Sequence, residues 1–222
     1  MKQMKADAME IILPADIERR SMEIIESELG DTSHLSEAQK AIVKRVIHTT
    51  ADFDYLQNLT FSPNAVEHGL AALRDGAVIV TDTQMALSGI SKPALKALSC
   101  EAHCFMSDPE TARMARERGT TRAMVSIDRA AEAFADRQVI FAIGNAPTAL
   151  IRLRELMDSG RLLPALVIGT PVGFVNVVPS KELIMACDVP SIVAAGRKGG
   201  SNVAAAICNA LLYMLYDRES GK

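Results

Sequence analysis

The stretch Val139-Ile-Phe-Ala-Ile-Gly-Asn-Ala-Pro-Thr-Ala-Leu150 decides the fold. Five apolar residues lead into Gly144, Asn145 follows as a helix N-cap, and Pro147 falls in the first turn, where its missing N–H costs nothing. A short apolar run that turns at once into a helix is the pattern of a buried parallel strand. Such a turn offers free amides and the positive end of a helix dipole, so it favours an anion. The pattern recurs where Ala165-Leu-Val-Ile-Gly169 meets Thr170-Pro-Val-Gly-Phe174, and where Ser191-Ile-Val-Ala-Ala-Gly196 meets Arg197-Lys-Gly-Gly-Ser201. Three strands of one sheet would bring these glycine turns together at their carboxyl ends, where open α/β sheets bind ligands.

Working outward, Ala77-Val-Ile-Val-Thr81 reads as the first strand, with Asp82 opening a helix that keeps Met85 and Leu87 inside. Glu101-Ala-His-Cys-Phe-Met106 reads as the second strand. Five short apolar strands separated by helices predict a three-layer α/β/α domain with a mainly parallel, doubly wound, five-stranded sheet. Residues 1–76 read as a helical N-terminal segment packed on that α/β core, all within a single domain spanning 1–222. In that segment Asp16 caps a helix over 17–29. Ser36 and Gln39 form a capping box for a helix that ends near His48, and Ser62 caps a third helix behind Pro63.

The bulk numbers narrow the function. The chain has 222 residues, 49% of them apolar, with eleven Met and no Trp, enough for one good core. A net charge of −3 argues against a general nucleic-acid surface, which needs a basic face. No run approaches a membrane span and the first residues hold no apolar leader, so a cytoplasmic protein with reduced cysteines is expected.

Few residues offer chemistry. His48 falls at the end of a helix, where the dipole favours an imidazolium, which suits a general acid; it also suits a plain capping role. Cys100, His103 and Cys104 invite a metal reading, but strand alternation points His103 away from the two cysteines, so apolar filling is favoured. The Gly196–Ser201 loop lacks the Gly-Lys-Ser/Thr ending of a P-loop, and no Gly-x-Gly-x-x-Gly follows a strand. Its cations and amides suit carboxylate or phosphate groups. Arg122 stands at a helix N-terminus, unfavourable for the dipole, which gives a ligand-facing role as much weight as a solvated one. Ser21 alone reads as a solvated helix residue.

Eight ordered pieces together resemble the precorrin-8X methylmutase family. They are Ile47-His48-Thr-Thr-Ala-Asp52, Phe61-Ser-Pro63, Asp82-Thr-Gln-Met85, Gly119-Thr-Thr-Arg122, Ile143-Gly-Asn-Ala-Pro-Thr148, Gly169-Thr-Pro-Val-Gly-Phe-Val175, Ser180-Lys181 and Gly196-Arg-Lys-Gly-Gly-Ser201. The form of the runs after His48 and before Arg122 is closer to the cobalt-precorrin-8 branch. The resemblance implies a flavodoxin-like fold, a homodimer with sites near its interface, and no cofactor. It also implies migration of a methyl group on ring C of a corrinoid macrocycle, giving cobyrinic or hydrogenobyrinic acid. His48 corresponds to the family's catalytic His, and Ser21 and Arg122 to its substrate-contacting residues. The multi-carboxylate substrate would then be held by the turns at Gly144, Asn145 and Thr148, at Gly173, and at Gly199, Gly200 and Ser201, with Lys181, Arg197 and Lys198 as cations. Met85 and Phe174 are candidate walls for the flat ring. Two rivals remain at this stage: a non-catalytic corrinoid carrier of the same fold, and a flavodoxin-like nucleotide or phosphate binder.

Overall fold

The computed structural model describes residues 12–217. Five strands run parallel: β2 (Val78–Thr81), β3 (Glu101–His103), β4 (Val139–Ile143), β5 (Leu166–Gly169) and β6 (Ser191–Ala194). Their order across the sheet is β3-β2-β4-β5-β6, the doubly wound order of flavodoxin-like folds, with the switch point between β2 and β4.

Among the described residues the sheet has six strands, not five. The sixth, β1 (Leu59–Phe61), lies antiparallel beside β6 with Leu59 opposite Ala194 and Phe61 opposite Ile192. The N-terminal segment is therefore not purely helical. Only three residues long, β1 carries no alternation of its own to betray it; the free edge of β6 selects it. Ser62 likewise does not cap a helix. Its hydroxyl accepts the Ser191 N–H (2.8 Å), while left-handed Asn64 (φ 56°) precedes the helix α4 (Ala65–Arg74).

Strand residues alternate between two cores, as a sheet covered on both faces requires. Ile79, Ile140, Ile168 and Ile192 face one layer, made of α1 (Ile17–Glu28), α2 (Glu37–Thr50), α4, α5 (Gln84–Gly89), α6 (Lys92–Ala97) and α11 (Ser201–Tyr213). Val78, Val80, Phe141 and Val167 face the other, made chiefly of α8 (Arg122–Ala133), α9 (Pro147–Asp158) and α10 (Val177–Met185). Most of α11 is buried between the sheet and α2, since it is apolar nearly all round. Ser36 and Gln39 close the expected capping box on α2. Asp16 sits at the start of α1 without bonding its amides and pairs with Arg19 instead.

Candidate functional site

Each parallel strand delivers its following loop to the same rim, and three loops there were expected to cradle anions. The first is already filled from within. Asp82, directly after β2 and 1% exposed, accepts the N–H groups of Gly144 (2.8 Å), Asn145 (2.8 Å) and Ala146 (2.6 Å). Burial pushes its carboxyl above the usual carboxylate range, and the three N–H groups pull it back. Asp82 therefore does not open α5; Thr83 does, its hydroxyl accepting the Ala86 N–H. Nor does the Asn145 side chain cap α9: the helix starts one residue later, behind Ala146, and no side chain bonds its first amides. It stays exposed on the rim.

In each of the other two loops a glycine amide is also spent inside the protein. Gly173 donates its N–H to the Arg197 carbonyl (3.1 Å), and Gly200 donates to Thr170 (2.8 Å). The amides of Gly144, Asn145, Gly173 and Gly200 each donate to an acceptor within the protein. Gly144 also serves close approach. A Cβ there would lie 2.6 Å from the Ser201 Cα, so the β4–α9 turn sits against the start of α11.

Lys181 lies beneath the rim rather than on it. It is 0% exposed, and its Nζ donates to the carbonyls of Gly196 (2.9 Å) and Lys198 (2.8 Å), so it braces the β6–α11 loop from beneath. Burial pushes its ammonium down to about 8. Above that brace the loop presents Arg197, stacked over the Phe174 ring at 5.5 Å, and Lys198, whose Nζ meets Asp52 and Asp54, each at 2.6 Å. Lys198 beside it holds the Asp52 carboxyl below the usual range. This ion triad, which the sequence did not signal, ties the loop to the chain four residues beyond His48.

His48 occupies the last turn of α2, which ends on left-handed Ala51 (φ 53°). Its ring is exposed and bonds to no other side chain among the described residues. His48, Ser21 and Glu28 line one pocket of about 280 Å³ with Ile24, Ile25, Ile47, Ala51 and Phe53. The Ser21 hydroxyl donates to Ile17 within α1, leaving its lone pairs to accept. A larger cleft of about 600 Å³ lies at the amino end of the sheet, but its cation Arg137 is committed to Glu101 and to the Gly76 carbonyl.

The remaining expected residues spread along the rim. Arg122 is exposed at the start of α8; the neighbouring Thr121 hydroxyl meets that of Thr148 at 3.0 Å, joining the N-termini of α8 and α9. The Ser201 hydroxyl meets that of Thr83 at 2.7 Å. Met85, expected inside, is 70% exposed, and Phe174 is 81% exposed. Val172 and Val175 are exposed beside Phe174, which makes an apolar patch between cations. His103, once weighed as a metal ligand, pairs with Glu101 at 3.0 Å and stacks near Phe134.

Comparison with known proteins agrees with this architecture. The sequence pattern of the precorrin-8X methylmutase family matches residues 16–214. The cobalt-precorrin-8 methylmutase of Salmonella typhimurium is 48% identical over 208 residues, covering 91% of this chain and 96% of that protein. The precorrin-8X methylmutase of Pseudomonas aeruginosa is 39% identical, covering 88% of this chain and 93% of that protein. The crystal structure of the Thermus thermophilus precorrin-8x methylmutase superposes with a TM-score of 0.83 at 39% identity, covering 90% of this chain and 95% of that one. The chain belongs to the precorrin-8X methylmutase family and is an isomerase of cobalamin biosynthesis.

Proposed function

We propose that the chain moves a methyl group between neighbouring carbons of ring C in cobalt-precorrin-8, with His48 as the proton donor. The cobalt form is favoured because the first relatives, including those of Salmonella typhimurium and Leptospira interrogans, carry that name. Such a shift breaks one carbon–carbon bond and forms another within the same molecule, so it needs no external nucleophile. A proton placed on a ring nitrogen or adjacent carbon biases the macrocycle's electrons toward migration and returns afterwards.

One observation carries this reading. The exposed imidazole of His48 shares a pocket with Ser21 and Glu28, and the chain just beyond it is tied to the cation-bearing loop of the sheet's rim. Arg122, Arg197 and Lys198, with Thr148, Gly199 and Ser201 beside them, supply charge and polarity for the substrate's carboxylates. Met85 and Phe174 supply apolar walls. A pocket of about 280 Å³ holds only the edge of a tetrapyrrole, so the rest is to be covered by the rim and a second copy of the chain. The protein therefore works as a homodimer.

Replacing His48 with Ala tests this directly. Turnover of cobalt-precorrin-8, followed in the visible spectrum, should fall by about 10²-fold or more, while cobyrinic acid still binds. Unchanged turnover would remove His48 from the mechanism. Binding without turnover in the parent protein would favour a carrier. Sedimentation of the purified protein as a monomer at micromolar concentration would overturn the dimer.

A further inference from the structure

In flavodoxin-like sheets the crevice between the first and third parallel strands, β2 and β4 here, is where an anionic ligand sits on helix N-terminal amides. In this chain that crevice is occupied by the carboxylate of Asp82, buried and bonded to three consecutive N–H groups. The next residue, Thr83, bonds Ser201 at the head of α11, and Gly144 packs against Ser201 and the Gly200 carbonyl. Two residues beyond Ala146, Thr148 joins Thr121, the neighbour of Arg122. One carboxylate thus fixes a turn that touches two other rim elements.

We propose that Asp82 is the positioning residue of the methylmutase rim: a built-in anion that sets the Gly144–Ala146 turn, and through Thr148 and Thr121 the placement of Arg122, while barring the substrate's own carboxylates from the crevice. The exclusion follows from chemistry. A substrate bearing several carboxylates meets, without Asp82, a ready nest of three N–H groups deeper than its proper seat. A carboxylate captured there draws the macrocycle out of register, and small misplacements are expensive in rate. Asp82 removes that choice.

This inference rests on the rim being the substrate's seat, and the experiment separates the two claims. Asp82→Asn keeps the volume but turns an amide NH2 toward a backbone N–H. Asp82→Ala empties the nest. Steady-state turnover of cobalt-precorrin-8 by the full-length protein is measured for both, with sodium formate or sodium chloride at equal ionic strength, alongside thermal unfolding. Asp82→Asn is expected to raise KM about tenfold, with a smaller loss in kcat because His48 lies on another layer. Asp82→Ala should lose more, and formate, which fits the three N–H groups, should restore part of it where chloride does not.

A folded Asp82→Asn protein with lowered Tm but unchanged KM and kcat would overturn the positioning role and leave a structural one. Failure of both variants to fold even in formate would do the same. Arg122→Ala is the control on the premise: an unchanged KM there overturns the rim reading itself. A raised KM in Arg122→Ala with none in Asp82→Asn overturns the role of Asp82 alone.

Discussion

Two turns at the same end of the sheet treat anions in opposite ways. The β4–α9 turn carries no charged side chain and presents three aligned amides, yet it is sealed, because Asp82 fills it. The β6–α11 loop spends its Gly200 amide inside the protein and instead carries two exposed cations, Arg197 over the Phe174 ring and Lys198 paired with Asp52 and Asp54. Backbone dipoles build a site for one small anion of fixed shape. Flexible cationic side chains suit several carboxylates spread around a large ring. The difference teaches that a strand–glycine–helix motif marks a place for negative charge without saying whose charge it is.

The comparison can be broken or sharpened in order of effect. Gly144→Ala should cost most, about 3 kcal/mol, because its Cβ meets backbone atoms of Gly200 and Ser201 that cannot rotate away. For a chain of this size that lowers Tm by roughly 6 to 12 °C. A Tm within a degree of the parent would show that the sealed turn has slack.

Lys181→Met tests the brace beneath the open loop and should cost about 2 kcal/mol, since two carbonyls lose their donor. Its pH dependence has a definite sign. The folded pKa of Lys181, about 8, lies below the ordinary lysine value, so the penalty for burying its charge is fully present below pH 8. Between pH 8 and about 10.4 the unfolded chain binds more protons, so the stability of the parent relative to Lys181→Met rises with pH. Urea unfolding at pH 7.5 and pH 10 reads the change, expected to be at most about 3 kcal/mol. A flat or falling difference would mean that the two carbonyls keep the ammonium protonated throughout.

Phe174→Ala should leave unfolding untouched, because the ring is 81% exposed, and weaken product binding several-fold. Unchanged binding would take this residue out of the ring's walls. Smallest of all is Lys198→Met, whose ion triad is exposed and screened. It should shift Tm barely at all and weaken product binding only at low salt; a salt-independent loss would point to a structural role for the triad.

The strands that hold this rim were legible because buried parallel strands write apolar runs and their turns write glycines. So was the end of α2 at His48, because a capping box marks its start. Strand order was not, and it decided the rest. Asp82 looked like a helix cap, since nothing local says that β4 is the neighbour of β2 and brings Gly144 within its reach. Lys181 looked like a cation for the substrate, since nothing local says that the β6–α11 loop folds over α10 and buries it. The pairing of Lys198 with Asp52 and Asp54 spans more than a hundred residues and leaves no pattern. These three features are long-range contacts of polar groups, the kind that apolar periodicity cannot record.

The edge strand β1 has a consequence for how the chain is made. Among the described residues, 59–61 pair only with 192–194, and α2 packs mainly on α11, far along the chain. On a ribosome α2 therefore emerges with Ile42, Val43, Val46 and Ile47 still lacking their cover, and must wait until α11 has been made before docking. That interval is when the nascent polypeptide most needs a chaperone.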